Sequence, residues 1–299
     1  MNQRKAWLFL ILCTLFWSGN YVFGRFVVGE MTPLMLTFLR WFFATALLMG
    51  IAQYVEKPDW RLVFKSWPTL TAMALTGIIA YNMALYTALI YTSSTNAAVV
   101  SALNPALLVV LSSYLLREKL SGFQSAGLAV SFSGVLVIIT GGQLSRVLQL
   151  QFNQGDLLML VAITVWTLYS ILGKKLAKVP PITVTAASAL IATILLAPFA
   201  VSQGMALGEI SPMALLGIAY IVLFPSVASF IFWNVAVREI GAGKAGIFMN
   251  LIPVFTALIS LALGEAVTAV QITGGFLVFA GVYMTTGLLE KKLNLKKRE

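Results

Sequence analysis

Apolar residues run along this chain in long, nearly unbroken blocks separated by short polar stretches rich in Lys, Arg, Pro, Gly and Ser. A bilayer core takes about 20 apolar residues per helix. Blocks of that size lie at 6–27, 33–54, 67–91, 96–116, 121–140, 156–173, 181–203, 212–237, 243–263 and 267–289. The pattern predicts an all-α integral membrane protein of ten transmembrane helices, with connections too short to hold a separate domain. Arg4 and Lys5 precede the first block as they would a signal peptide. That block is longer than a signal h-region and carries no small-residue cleavage site, so it is read as a helix.

An even number of spans puts both termini on one side of the membrane. Of the 20 Lys and Arg residues, Arg25 and Arg146 fall on the opposite side and Arg40 falls within a span, leaving 17 on the side of the termini. The positive-inside rule then sets the termini in the cytoplasm. A net charge of +10 would suggest nucleic acid in a soluble protein, but here the basic residues are distributed as membrane anchors.

Composition narrows the chemistry. Sixty per cent of the 299 residues are apolar and 10% charged, and mean hydropathy is +0.92. Too few charges remain to coat a water-soluble globule. One cysteine, Cys13, and no histidine exclude disulfides within the chain, histidine triads and proton relays, and most zinc sites. No cofactor is expected, nor an enzyme: the spans hold no nucleophile–base pair, metal cluster or acidic motif.

The two halves repeat at an offset of 147 to 149 residues. Pro105, Glu118, Gln124, Gly127 and Gly134 in the first half answer to Pro253, Glu265, Gln271, Gly274 and Gly281 in the second. Trp17-x6-Gly24-Arg25 matches Trp166-x6-Gly173-Lys174, and Pro33 and Thr37 match Pro181 and Thr185. Residues 1–147 and 148–299 thus read as two five-helix repeats. An odd number of helices per repeat inverts the second copy in the bilayer, the architecture of alternating-access transporters with a site near the midplane.

With these motifs the chain resembles the drug/metabolite transporter superfamily, and within it the EamA-type exporters. The resemblance covers nearly the whole chain. It implies a central cavity surrounded by the first four helices of each repeat, with the fifth and tenth helices as peripheral scaffold. It also implies the inner membrane of a bacterium and export of aromatic and other neutral amino acids, or of drugs or other metabolites.

Candidate cavity residues follow from helical spacing. Trp17, Asn20 and Tyr21 share one face of the first helix with Gly24, and Trp166, Tyr169 and Ser170 repeat it with Gly173 in the sixth. Tryptophan favours the membrane interfaces, yet both of these fall near mid-span; they either line a cavity or pack on a neighbour. Asn82 with Tyr86, and Ser226 and Ser229 with Trp233, add polar and aromatic faces in the third and eighth helices. Pro105 and Pro253 each withhold an N–H from the carbonyl four residues back, at Ser101 and Met249, with Asn104 and Asn250 beside the breaks. Arg40 is the one charge well inside a span, about 10 Å from the boundary at 1.5 Å per residue. It either attracts a substrate carboxylate or bonds the carbonyls of a kinked helix. Lys244, aligned with Asn96, is a gate or an ordinary anchor.

Glu118 and Glu265 are expected to cap the helices that follow them or to offset their dipoles, with proton coupling as the rival role. The pairs Gly127/Gly134 and Gly274/Gly281 suit close packing of the fifth and tenth helices, on each other or in a homodimer. All ten carboxylates fall in loops, tails or helix ends, so the expectation is facilitative movement of a small neutral solute, without proton coupling. A membrane scaffold or receptor, or a passive channel, is the rival reading; the partners expected are the lipid bilayer and a small-molecule substrate, and not nucleic acid.

Overall fold

Inside a bilayer no water is available to peptide groups, and a chain of this composition satisfies its backbone bonds within helices. The computed structural model describes residues 3–107, 110–111, 121–143, 145, 152–204, 210–240 and 248–285, and every regular element among them is helical. In order these are α1 (Gln3–Val27), α2 (Pro33–Ile51), α3 (Trp60–Lys65), α4 (Trp67–Met73), α5 (Tyr81–Tyr91), α6 (Ser94–Ser101) and α7 (Gly122–Ile139). Then follow α8 (Gln154–Lys174), α9 (Pro181–Ser202), α10 (Pro212–Ile221), α11 (Ser229–Ile240), α12 (Leu251–Ala262) and α13 (Ala269–Thr285). Three π-helical segments continue them: π1 (Ala52–Glu56) after α2, π2 (Ala74–Ala80) between α4 and α5, and π3 (Val222–Ala228) between α10 and α11.

Six helices are long and apolar enough to cross a membrane: Arg4–Val27, Pro33–Glu56, Trp67–Tyr91, Gln154–Gly173, Pro181–Ser202 and Pro212–Val237. Gly122–Ile138, Leu251–Ala262 and Ala269–Thr285 are shorter apolar helices. The expected spans 96–116, 243–263 and 267–289 run partly outside the described residues, where Glu118, Lys244 and Arg146 also lie.

Pro105 and Pro253 do not sit in helix interiors. α6 ends at Ser101, Ala102 and Leu103 form a turn, and the chain is helical again over 104–107. Met249 and Asn250 form the equivalent turn, and Pro253 lies in the first turn of α12. Proline fits a first turn, where its missing N–H breaks no bond. Each span is therefore interrupted just before its proline rather than bent at it.

Helix starts are capped by side chains, as bare N–H groups require. Thr32, Asp59, Ser93, Asn153 and Ser211 each accept a backbone N–H at the start of α2, α3, α6, α8 and α10. Ser121 and Gln124 form a capping box on α7, and Thr268 and Gln271 form one at the start of α13. The capping expected of Glu265 is done instead by Gln271, because Gly264, at φ +86°, turns the chain before Thr268 and leaves Glu265 exposed.

Packing crosses the two halves of the sequence. α1 lies against α10, π3, α11 and α12, while α8 lies against α4, π2, α5 and α6, so each half lends its first helix to the other. α2 and α9 pair between these groups, tied at one end by Thr32 Oγ1 donating to Gln203 (2.8 Å) and at the other by Glu56, which accepts from Ile182 N and Thr183 N (3.1 and 2.7 Å). α7 packs along α13 with glycine facing glycine. A Cβ on Gly127 would meet the Gly281 carbonyl, and one on Gly134 the Gly274 carbonyl. These four glycines join the two helices within one chain, the first of the two packings expected of them. Large apolar side chains such as Ile194, Leu216 and Phe276 point outward, as lipid-facing surfaces do.

Candidate functional site

The two interrupted stretches, π2 and π3 converge on one place. π2 and π3 begin 148 residues apart, at Ala74 and Val222, the same offset as the sequence repeat, so each half carries a π segment at an equivalent position. A π turn re-aims side chains and displaces carbonyls, which is why such segments recur at functional sites. Pro225 and Ser226 in π3 bond to side chains of α1 and α2, as described below.

Between them lies a small central cavity of about 60 Å³. α1 contributes Trp17, Asn20 and Tyr21; α2 contributes Arg40 and Trp41. Gly77 of π2 and Tyr81 and Asn82 of α5 form a further wall, with Ser101, Ala102, Asn104 and Pro105 of the first helix break. Ile163 and Trp166 of α8, Phe230 of α11, and Met249 and Ile252 of the second break complete it. Ser101 and Met249 both line this space; the Met249 carbonyl, which Pro253 cannot bond, accepts from Ile252 N instead (3.0 Å).

Arg40 is the polar centre. Only 4% of it is exposed, and its side chain is held from three directions. Nε donates to Ser226 Oγ (2.7 Å); Nη1 donates to Asn82 Oδ1 (2.8 Å), Tyr86 Oη (2.7 Å) and Asn20 Oδ1 (3.2 Å). Tyr86 in turn donates to Asn20 Oδ1 (3.0 Å), and Asn82 Nδ2 donates to the Ile78 carbonyl in π2 (2.7 Å). The guanidinium lies 5.1 Å from the Trp41 ring centroid and 6.0 Å from that of Tyr86, distances at which cation–π attraction operates. All these partners are neutral. No carboxylate among the described residues pairs with Arg40 or lines the cavity, and Nη2 makes no hydrogen bond among them. The helix-carbonyl alternative for Arg40 does not apply: its acceptors are side chains from α1, α5 and π3.

Aromatic rings make up much of the remaining wall. Trp17 Nε1 donates to the Pro225 carbonyl (3.2 Å), which fixes the indole beside Phe230 and Trp233 (6.2 and 5.5 Å between centroids). Opposite, Trp166 lies between Tyr81 (4.9 Å) and Tyr169 (5.0 Å). Asn104 accepts from Thr167 (2.8 Å).

The candidates from the sequence divide accordingly. Trp17, Asn20, Tyr21, Arg40, Asn82, Asn104 and Trp166 line the cavity, as does Pro105. Tyr86 stands behind Arg40 and orients it. Tyr169 and Trp233 back the two lining tryptophans, and a Cβ on Gly77 would overlap the Tyr169 ring. Ser229 is not on the wall: it donates to the Cys13 carbonyl and ties α11 to α1. Asn250 occupies the turn before α12 without lining the cavity, and its buried Oδ1 has no donor among the described residues. Trp41, Tyr81, Phe230 and Gly77 were not singled out by spacing. The π segments rotate the helix faces that carry Tyr81 and Phe230, and a purely α-helical periodicity does not reveal that rotation.

A second polar cluster sits at the end of the bundle where α5 turns into α6. Asp156, in the first turn of α8 and 0% exposed, accepts from Thr92 Oγ1 (2.5 Å) and Asn96 Nδ2 (3.5 Å). Arg25 donates to the Thr92 carbonyl (2.7 Å), and Gln271 donates to Ser93 Oγ (3.0 Å) and Asn96 Oδ1 (2.8 Å). The repeated Gln thus both caps its own helix and joins α13 to this corner.

Residues 4–140 and again 153–287 match the EamA-like transporter family. The chain is 29% identical over 303 residues to YyaM, an uncharacterized transporter of Bacillus subtilis, covering 100% of this chain and 99% of that protein. An uncharacterized transporter of Archaeoglobus fulgidus is 31% identical over 292 residues, 96% of this chain and 98% of that one. A protein of Streptantibioticus cattleyicolor named as a probable terminal-alkyne amino-acid exporter is 26% identical over 221 residues, 73% of this chain and 72% of its own length. A crystal structure superposes over 96% of this chain and 99% of its own with a TM-score of 0.68 at 20% identity, a likeness of fold.

Proposed function

Because the chain belongs to the EamA-like transporter family, a family of membrane transporters and not of enzymes, we propose that it exports small neutral metabolites, foremost aromatic and other neutral amino acids, by alternating access. In this reading ten transmembrane helices form two inverted five-helix repeats, residues 1–147 and 148–299, with both termini in the cytoplasm of a bacterial cell. The family's double match supports the two repeats, as do the equivalent π segments and the exchange of first helices between the halves. The 17 basic residues on the side of the termini support the orientation.

One observation carries the substrate: a buried guanidinium, fixed by neutral partners, at a cavity walled by aromatic rings. A substrate carboxylate would supply the counter-charge that Arg40 lacks, since charge-assisted hydrogen bonds to arginine are the strong ones. The rings would receive an apolar or aromatic side chain. A phosphorylated solute would call for several converging cations, and Arg40 is the single one at this wall among the described residues. The Streptantibioticus relative named as an amino-acid exporter agrees with this substrate class. No carboxylate lines the cavity among the described residues, so movement is proposed to be facilitative.

The test is uptake of labelled tryptophan, phenylalanine, threonine and glutamate into proteoliposomes, beside Arg40→Ala and Trp17→Ala variants. The neutral amino acids are expected to enter saturably, glutamate poorly, and both variants to lose most of the flux. An imposed pH gradient is expected not to drive accumulation above equilibrium. Folded protein that moves none of these solutes would refute the amino-acid assignment; uphill, pH-driven uptake would refute the facilitative mechanism.

A further inference from the structure

The connection between the second and third apolar spans carries a surface that the cavity does not use. Residues 57–66 join π1 to α4, and α3 within them has two unlike faces. Val63 is buried in a small core with Leu70 and Met73 of α4 and with Leu176 and Val179 of the α8–α9 connection, and Trp60 packs against it. Arg61, Phe64 and Lys65, spaced i, i+3 and i+4 and so neighbours on one face, are exposed. Phe64 is 73% exposed; Tyr54, at the end of one span, and Trp67, at the start of the next, are 84% and 64% exposed. Tyrosine and tryptophan at span ends mark the headgroup level of a bilayer. α3, which joins these two ends, lies at that level.

Around these rings the exposed charge is mostly of one sign. Lys57, Arg61, Lys65, Lys175 and Lys178 are all exposed, and none of them makes a salt bridge among the described residues. The two carboxylates of this stretch serve backbone groups. Glu56 accepts the Ile182 and Thr183 N–H groups and the Thr183 hydroxyl at the start of α9, and Asp59 accepts the Arg61 N–H at the start of α3. A face that mixes aromatic rings with unpaired cations at the membrane boundary complements phospholipid headgroups, the rings entering the interface and the cations meeting phosphate. A second copy of this chain would bring the same positive face, and the tail from Lys291 to Arg298 is basic too, so neither complements it. We propose that this corner, α3 with the α8–α9 connection, binds an anionic phospholipid headgroup.

The test is native mass spectrometry of the full chain in neutral detergent, titrated with dioleoylphosphatidylglycerol or with dioleoylphosphatidylcholine. The first phosphatidylglycerol is expected to bind more tightly than phosphatidylcholine. Lys57→Gln, Arg61→Gln and Lys65→Gln together are expected to weaken it on the order of a hundredfold, at about fivefold for each cation near a charged membrane surface. All three side chains are exposed, and Arg61→Gln alone, expected to cost about fivefold, decides the matter should the triple variant not fold. Lys291→Gln, Lys292→Gln and Lys296→Gln remove the same charge from the tail and are expected to leave the affinity unchanged. Equal losses in the two triple variants would show net charge alone at work and overturn the site, as would equal binding of the two lipids. Glycerol phosphate, which has the phosphate without acyl chains, is expected not to displace the lipid at matched concentration. Displacement would make this a site for a soluble phosphate and overturn the lipid assignment.

Discussion

At the scale of single residues, the two buried charges among the described residues are each met by converging neutral groups. Arg40 is ringed by Ser226, Asn20, Asn82 and Tyr86, each on a different helix or π segment from its own. Asp156 follows the same rule: it is fully buried, and its acceptors are filled by Thr92 and Asn96. Its place in the first turn of α8 also suits the helix dipole. Replacing Asp156 with Leu would strand the Thr92 hydroxyl and the Asn96 amide, at roughly 1–3 kcal/mol for each buried group left unpaired. Asp156→Asn keeps an oxygen for Thr92. Thermal unfolding of the purified variants is therefore expected to rank wild type and Asp156→Asn close together, with Asp156→Leu clearly lower. Equal melting of the two variants would show that the hydrogen bonds do not matter there.

At the scale of elements, the α7–α13 pair shows why the repeated glycines take the spacing they do. Glycine meets glycine at both levels of the contact, and carbonyls lie where a Cβ would project. Without a hydrophobic drive between helices in lipid, such close backbone approach is what holds them together. A Gly281→Val substitution would push into the Ser131 backbone and the Gly127 carbonyl, costing about 1–3 kcal/mol as overpacking does. Its melting temperature is expected to fall by several degrees, and Gly122→Ala, which meets nothing within 4 Å, to leave it unchanged. The α2–α9 pair is held differently, by polar ties at both ends, with Glu56 serving as the cap of α9.

At the scale of the whole molecule, the groups that face each other across the cavity are not the two halves of the sequence. α1 sits with α10, π3, α11 and α12, and α8 with α4, π2, α5 and α6. Trp17, Asn20 and Tyr21 of the first group and Tyr81, Asn82 and Trp166 of the second therefore line one cavity. The proposed orientation sets Gln203 on the outer face and Lys178 on the cytoplasmic one. Cysteines introduced singly at these positions in a Cys13→Ser background are expected to react with a membrane-impermeant maleimide from outside whole cells at 203, and only after permeabilisation at 178. The reverse pattern would invert the topology.

The sequence by itself determined that the protein is helical, apolar and built for lipid, because composition and block length alone answer the demand that backbone groups be satisfied away from water. It also marked Arg40 and the two tryptophans Trp17 and Trp166, since a charge or an indole in mid-span stands out against an apolar background. The repeated glycines and Gln residues were legible as a pattern, while their partners were not: Gln271 reaches Ser93 and Asn96 across the fold, and Gly127 meets Gly281. Only the tertiary structure decided that Ser229 ties helices together, that Pro105 and Pro253 open rather than bend their helices, and that Trp41, Tyr81 and Phe230 share the wall with Arg40. For Tyr81, Ser229 and Phe230 the physical reason is the π segments that precede them. Each adds a residue to a helical turn and rotates everything beyond it, so which side chains face the cavity depends on hydrogen bonds that no linear spacing records.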